Sequence, residues 1–472
     1  MENTEKRKIS KEGMVRIVFL SIIILMSVLY LIFGAPMVPY RFAEANYGVF
    51  LFLLAGFGML LANLLYFAWQ ILLAAQYKPY KAPEDPEELP TCAVIIPAFN
   101  EGEQVYHALM SLLKSNYPAH KLDIITVNDG SRDDTWQWMQ RAEQESNGRI
   151  RALNLPRNGG KRRALYNGFR MTEAEIVVTF DSDSMATPET IRQIVAPFLC
   201  DPKAGAVAGN IRVLNTDAGM IPKMLDVSFV FGFEFLRSAQ SIVRSVLCTP
   251  GALSAYRRKA IMPHMQEWVN EKFFGKPANI GEDRAITNIL LREGWGVVFQ
   301  QTSTVYTEMP LTYSGLCKML IRWGRSNVRE NIAMAKFAFR RFDTSDDDLT
   351  GMQVNLIMQT FWMAAPVVFL GYTVYCLLQG VLPFIIGAAF AIIFWSTMPA
   401  FVYARRYNAG DSVWSYVYGI FSFFTLFWVS PYCIFTVHKS GWLTRQKPKA
   451  AEQEIQKDAV TNGSNLPKIS HS

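Results

Sequence analysis

Apolar residues are unevenly spread along this chain, and their pattern changes character between its ends and its middle. Residues 14–34 (MVRIVFLSIIILMSVLYLIFG) and 49–75 (VFLFLLAGFGMLLANLLYFAWQILLAA) are near-continuous apolar runs. At about 1.5 Å per residue, each is long enough as a helix to cross a hydrocarbon layer of roughly 30 Å. From Met352 to Tyr403 there is no Asp, Glu, Lys or Arg, which leaves room for two more crossings, and Val413 to Val437 is a further candidate. The pattern therefore predicts two crossings over 14–75 and three or four membrane segments over 352–437.

The middle, about residues 80–310, reads differently. It is entered through the Pro-rich, acidic linker YKPYKAPEDPEELP and opens with four short, β-branched apolar runs: CAVIIP (92–97), LDIITVN (122–128), RIRALNLP (149–156) and AEIVVTF (174–180). Segments of helical period separate them, such as Val105, Leu109, Leu112 and Leu113. Strands alternating with amphipathic helices imply an α/β domain with a mostly parallel sheet covered on both faces. In such sheets ligands gather at the carboxyl ends of the strands. Here the first strand runs into AFNEG, the second into NDGSRDD and the fourth into DSDS, so three separate loops are expected to share one crevice.

Charge sets the orientation. Lys6, Arg7, Lys8, Lys11 and Arg16 precede or open the first apolar run. By the positive-inside rule the basic arm (1–13) is cytosolic, and two crossings return the middle domain to the same side. That first run is too long for a signal peptide core and is expected to be retained. After Val437 the basic segment HKSGWLTRQKPK conflicts with an odd number of later crossings, and a break at Ser430 and Pro431 would resolve it. The tail, 446–472, is polar and expected to be disordered. The net charge of +7 is concentrated near the apolar runs, which suits anionic lipid and gives no reason to invoke nucleic acid. Six cysteines and five histidines show neither a CxxC pair nor an HExxH spacing, which argues against a zinc site.

Each polar cluster has two readings. Asp181 and Asp183 lie two residues apart, on one side of an extended chain, where a hard cation such as Mg2+ or Mn2+ would relieve their repulsion; a solvated turn would also explain them. Asp129, in VNDGSRDDT, either belongs to a strand-to-helix turn or accepts hydrogen bonds from a nucleotide's base or ribose. In RNGGKRRALYNG, Gly159 and Gly160 allow close backbone approach, and Lys161, Arg162 and Arg163 either face solvent or supply charge to a diphosphate. Glu282 and Asp283 stand at the start of a helix as caps or as a general base. The basic amphipathic stretch LCKMLIRWGRSNVREN, within 311–345, is an interfacial anchor, an active-site element, or both.

Taken in order, VNDGS, GGKRRAL, DSD, GNIRVLN, CTPGALSAYRR, GEDRAITN, RWGRS and HKSGWLTR resemble the processive family 2 glycosyltransferases, the group of hyaluronan, chitin-oligosaccharide and cellulose synthases. The resemblance spans roughly residues 92–445. It implies a cytosolic, Rossmann-like GT-A domain inserted between N- and C-terminal transmembrane helices, in the cell membrane. It also implies a UDP-sugar donor, a growing glycan acceptor, a Mg2+ or Mn2+ cofactor and contact with membrane lipid. By the same resemblance Asp129 binds the uridine, Asp181 and Asp183 hold the metal, and Asp283 is the base, with Glu282 beside it. Lys161 and Arg322 lie near the phosphates, Trp323 near the acceptor sugar, and Cys248 and Gly251 in the acceptor-side loop. One position departs: where the family's QxxRW has Gln this chain has Met319, and a thioether cannot replace an amide's donors and acceptor.

Overall fold

The four β-branched runs form the first four strands of one sheet. The structure, a computed structural model, describes residues 47–340, 346–379 and 381–439. The basic arm, the predicted crossing at 14–34 and the tail 446–472 lie outside the described residues. Strands β1 (Cys92–Ala98), β2 (Leu122–Asn128), β3 (Ile150–Asn154) and β4 (Ile176–Phe180) pair in parallel in the order β3-β2-β1-β4. The sheet continues through β5 (Ser184–Ala186), β6 (Ala204–Val213), β7 (Leu253–Arg257) and β8 (Gly296–Thr307), giving the eight-strand order β3-β2-β1-β4-β7-β6-β8-β5.

All seven residues of β1 are buried, and their alternation sends them into two cores. Val94 and Ile96 pack with Val105, Leu109 and Leu112 of α2 (Gln104–Leu113) on one face. Ala93 and Ile95 pack with Ala164, Leu165 and Phe169 of α4 (Lys161–Phe169) on the other. Helix α1 (Tyr47–Gln76) precedes the sheet, and α3 (Thr135–Glu145) and α5 (Thr190–Cys200) complete its flanks.

The sheet is less parallel than the pattern predicts. Strand β7 runs antiparallel to both β4 and β6, and β5 antiparallel to β8. Pairing of Phe180 with Leu253 matters most, because it lays the loop that precedes Leu253 directly against the DSDS turn that follows Phe180. Ser184 is the first residue of β5 and caps no helix.

Beyond β6 come α6 (Met220–Phe229), a π-helical stretch (Val230–Phe235) and α7 (Leu236–Ile242); after β7 comes α8 (Glu282–Arg292). The C-terminal part holds α9 (Tyr313–Ala338), α10 (Asp347–Gln379), α11 (Val381–Arg406), α12 (Trp414–Thr425) and α13 (Val429–Phe435). Among the described residues, Gly387–Arg406 is the uninterrupted segment long and apolar enough by composition to cross a membrane, and Leu61–Gln76 is apolar but shorter. The candidate over 413–437 is broken: Ala409–Thr425 and Val429–Phe435 meet at 52°. The break falls at residues 426–428, ahead of the expected Ser430 and Pro431. Pro431 sits in the first turn of α13, where its missing N–H removes no helical bond.

Two polar bridges tie the C-terminal helices to the sheet domain. Asp226 of α6 takes a bidentate pair from Arg212 of β6, at 3.0 and 2.9 Å, and a hydrogen bond from the Tyr403 hydroxyl of α11 at 2.9 Å. Fully buried Glu234 accepts from Gln301 Nε2 (2.6 Å), Arg406 (2.5 Å) and the Tyr407 hydroxyl (2.7 Å).

Candidate active site

The first four strand ends and the start of α8 meet at the C-terminal edge of the sheet. Lys161, the first residue of α4, joins them. Its ammonium is in a short ion pair with Asp181 and lies 3.4 Å from Glu282. Burial alone would lower the Lys161 pKa, but the carboxylates of Asp181, Glu282 and Asp283 outweigh it and raise it. Gly251 lets the loop before β7 approach this pair: a Cβ there would fall 2.7 Å from Lys161 Nζ.

Asp129 is buried at the end of β2, and its oxygens accept the backbone N–H groups of Gly159 and Gly160, each at 2.8 Å. Burial raises its pKa and these two donors oppose the rise. The acid thus fixes the Gly-Gly turn that aims Lys161, while each oxygen keeps a second lone pair. Arg162, expected with Lys161, turns away and donates instead to Trp268 O and Glu271, both at 2.6 Å.

Asp181 and Asp183 lie not on an extended chain, as expected, but in a turn closed by the Ser184 N–H on Asp181 O at 3.2 Å, and the Asp181 charge still reaches Asp183. Burial, and then the charge of Asp181, push Asp183 up to about 6, against the pull of Lys161 and Arg322. Among the described residues no group of three or more His, Cys, Asp or Glu is placed to hold a metal. Two mutually repelling carboxylates fit a hard divalent cation that completes its shell with phosphate oxygens and water, and not a cage made of protein alone.

Glu282 and Asp283 are the first two residues of α8, after Gly281, and make no side-chain cap. Gly281 has φ of 82°, and a Cβ there would lie 2.4 Å from Ser326 Oγ, so both conformation and space call for glycine. Burial alone would raise Glu282, but Lys161, a backbone hydrogen bond, Arg162 and Arg322 together outweigh it and hold the carboxyl below its ordinary value. Asp283 is raised, first by burial and then by Glu282. Its Oδ1 accepts from the Arg284 amide at 2.8 Å, and its Oδ2 lies 3.8 Å from Cys248 Sγ. Burial and Asp283 push the Cys248 thiol up to about 12, so it is a neutral donor and no nucleophile. A neighbouring pair of acids, one held charged by an ammonium and the other poised higher, suits proton transfer.

Helix α9 brings Arg322 and Trp323. The Arg322 charge acts on Asp183 and Glu282, and Trp323 packs on Phe229 and Phe233 at ring separations of 6.0 and 6.1 Å. Met319 is buried in the apolar core. The basic face beyond them is not solvated. Arg325 donates to Thr436 Oγ1 at 3.0 Å, and buried Arg329 to Val437 O at 3.4 Å.

The family described as "Glycosyltransferase like family 2" matches residues 90–326, which contain Asp129, Lys161, Asp181, Asp183, Glu282, Asp283, Arg322 and Trp323. The chain belongs to that family. An N-acetylglucosaminyltransferase of Rhizobium meliloti (strain 1021) is 30% identical over 249 residues, 52% of this chain and 58% of that protein. The hyaluronan synthase of Streptococcus pyogenes is 29% identical over 303 residues, 63% and 68% of the two chains. The chain thus matches between about half and two thirds of the length of these relatives. A mannosyltransferase from Pyrobaculum calidifontis, solved in complex with GDP-Man and Mn2+, shares the fold with a TM-score of 0.54 at 19% identity, over 78% of this chain and 98% of that one. The family 2 domain here is a GT-A-like α/β domain with its polar groups at the strand ends.

Sequence reasoning missed Arg284 and Arg237. Arg284 is buried behind Asp283 and donates to Asn327 (3.3 Å) and Asn331 (2.9 Å) of α9 and to Gln359 of α10 (3.0 Å). Its place in GEDR was visible, but its partners are not local. Arg237 stands with Glu234 in the apolar run VFGFEFLRSAQ, and two charges in such a run were the available signal.

Proposed function

We propose that this protein is a membrane-embedded, inverting glycosyltransferase. It uses a UDP-sugar, UDP-N-acetylglucosamine in the first place and UDP-glucuronate as a second donor, to elongate a β-linked polysaccharide and pass it across the membrane. The observation that carries the reading is the ion-pair bridge of Lys161 between Asp181 of the DSD turn and Glu282 of the GED helix. It brings a charge for the donor's diphosphate within reach of a poised acid. The names of the two relatives support a UDP-hexosamine donor, and the Mn2+ in the mannosyltransferase supports a divalent cation.

In this mechanism Asp129 holds the Gly-Gly turn and presents its remaining lone pairs to uridine. A divalent cation held by Asp181 and Asp183 would supply positive charge to the diphosphate. Lys161 and Arg322 stabilise the charge that develops on UDP as it leaves. Trp323 offers an aromatic face to the acceptor. Asp283 takes the proton of the attacking hydroxyl, and one in-line displacement inverts an α-linked donor to a β-linked product. The apolar α1, α10 and α11 supply the membrane path.

The test uses the full chain in nanodiscs with Mn2+ or Mg2+ and each labelled UDP-sugar, singly and in pairs, followed by sizing of the product. A polymer is expected. A single lipid-linked sugar would replace elongation with one-step transfer, and no turnover with any donor would point to a non-catalytic scaffold.

A further inference from the structure

Five arginines among the described residues are buried: Arg162, Arg237, Arg284, Arg325 and Arg329. Four of them donate to named partners. Arg237, on α7, is 6% exposed and makes no hydrogen bond or ion pair among the described residues, and its Nη1 is enclosed without a partner there. Its one contact of note is the Phe233 ring, 4.4 Å from the guanidinium carbon. Burying a guanidinium with no acceptor is costly, and that cost falls when a ligand brings oxygen to it.

The surroundings say which ligand. Phe233, under the guanidinium, is also edge-on to Trp323 at 6.1 Å. Burial lowers the Arg237 pKa, and its neighbours Cys248 and Asp283 oppose that shift only in part. Arg237 therefore stands beside the Phe233 and Trp323 pair and within electrostatic range of the acid proposed as base. A planar, five-donor cation beside aromatic rings is suited to the oxygens of a sugar.

We propose that Arg237 binds the acceptor saccharide, holding a carboxylate or hydroxyl oxygen of the sugar whose attacking hydroxyl faces Asp283. The inference rests on the glycosyltransferase reading and names a group on its acceptor side. It is tested with the full chain in nanodiscs, unmodified and as Arg237→Met and Arg237→Lys. UDP release without acceptor is measured first. Transfer is then followed with a neutral N-acetylglucosamine tetrasaccharide and with a glucuronate-terminated one.

Expected for Arg237→Met is a rise of about tenfold or more in acceptor KM, with UDP affinity and acceptor-free UDP release unchanged. Arg237→Lys recovers part of the loss, and a larger penalty with the glucuronate acceptor assigns the contact to a carboxylate, an equal one to a hydroxyl. An unchanged acceptor KM with a lowered kcat and a shifted pH profile would overturn the proposal, because Arg237 would then act through Asp283. A lowered melting temperature with normal acceptor KM in Arg237→Lys would overturn it as well, leaving a packing role. Absence of UDP release from the unmodified protein with every donor would instead sink the glycosyltransferase reading, and this inference with it.

Discussion

Two buried charge clusters of this protein differ in one respect. Around Glu234 and Asp226 every carboxylate is met by donors: Gln301, Arg406 and Tyr407 on the first, Arg212 and Tyr403 on the second. At the sheet edge Lys161 pairs with Asp181 and Glu282, and two further acids, Asp183 and Asp283, are held up by burial and by a neighbouring carboxylate. A satisfied cluster holds structure together. A cluster in which buried acids crowd each other has a place for a cation or a proton, which is the role the proposed function gives it.

The largest break in this contrast is expected at Asp283. Asp283→Asn should lower transfer by about 10² to 10⁴, the range of a lost general base, while UDP affinity by calorimetry stays nearly constant. Retained turnover would remove Asp283 from the base role. Next is Glu234→Ala, which strips a fully buried acid from its donors and should cost about 3–5 kcal/mol in chemical denaturation. Asp183→Asn should leave the denaturation midpoint unchanged or higher, since burial and the charge of Asp181 both disfavour its ionised form. If both variants lose stability alike, the two clusters do not differ as described.

Gly281→Ala comes third. It combines a left-handed φ of 82° with a clash on Ser326, and should cost about 1–3 kcal/mol and displace Asp283, seen as lower stability together with lower kcat. Fourth is a pH effect. Cation binding needs the ionised form of Asp183, which is held up at about 6. Affinity for Mn2+ should therefore rise with pH through about 6, and fall by up to about tenfold per pH unit below it. A flat affinity from pH 5 to 8 by paramagnetic resonance would exclude Asp183 as a ligand. Smallest is Met319→Gln, which inserts an amide into a packed apolar site and should cost about 1 kcal/mol while sparing UDP release.

What was legible in the sequence was local. The four β-branched runs became β1 to β4 within two residues at each end, because burial on both faces demands continuous apolar runs. Asp129, Asp181 and Asp183 were legible as candidates because they stand just past strand ends, and Lys161 because it opens the helix after β3. The direction of β7 was not legible, since an apolar run has no polarity of its own, and the meeting of Cys248 and Gly251 with the site depends on that direction. Arg237 and Glu234 escaped for the same reason. What distinguishes one from the other is a partner far along the chain: Arg406, which pairs with Glu234, is 172 residues away.

Helix α9 deserves a mechanical reading. It is one uninterrupted rod of 26 residues, from Tyr313 to Ala338, and at about 1.5 Å per residue some 39 Å long. Trp323 rides on its middle, while Asn327, Glu330 and Asn331, one to two turns on, grip Arg284 and Asn288 of the helix that begins with Glu282 and Asp283. The aromatic platform and the acid pair are therefore mounted on a common shaft. A small tilt of that shaft moves both parts in step, so on the proposed function the advance of the product and the aim of the proton acceptor would share a single degree of freedom.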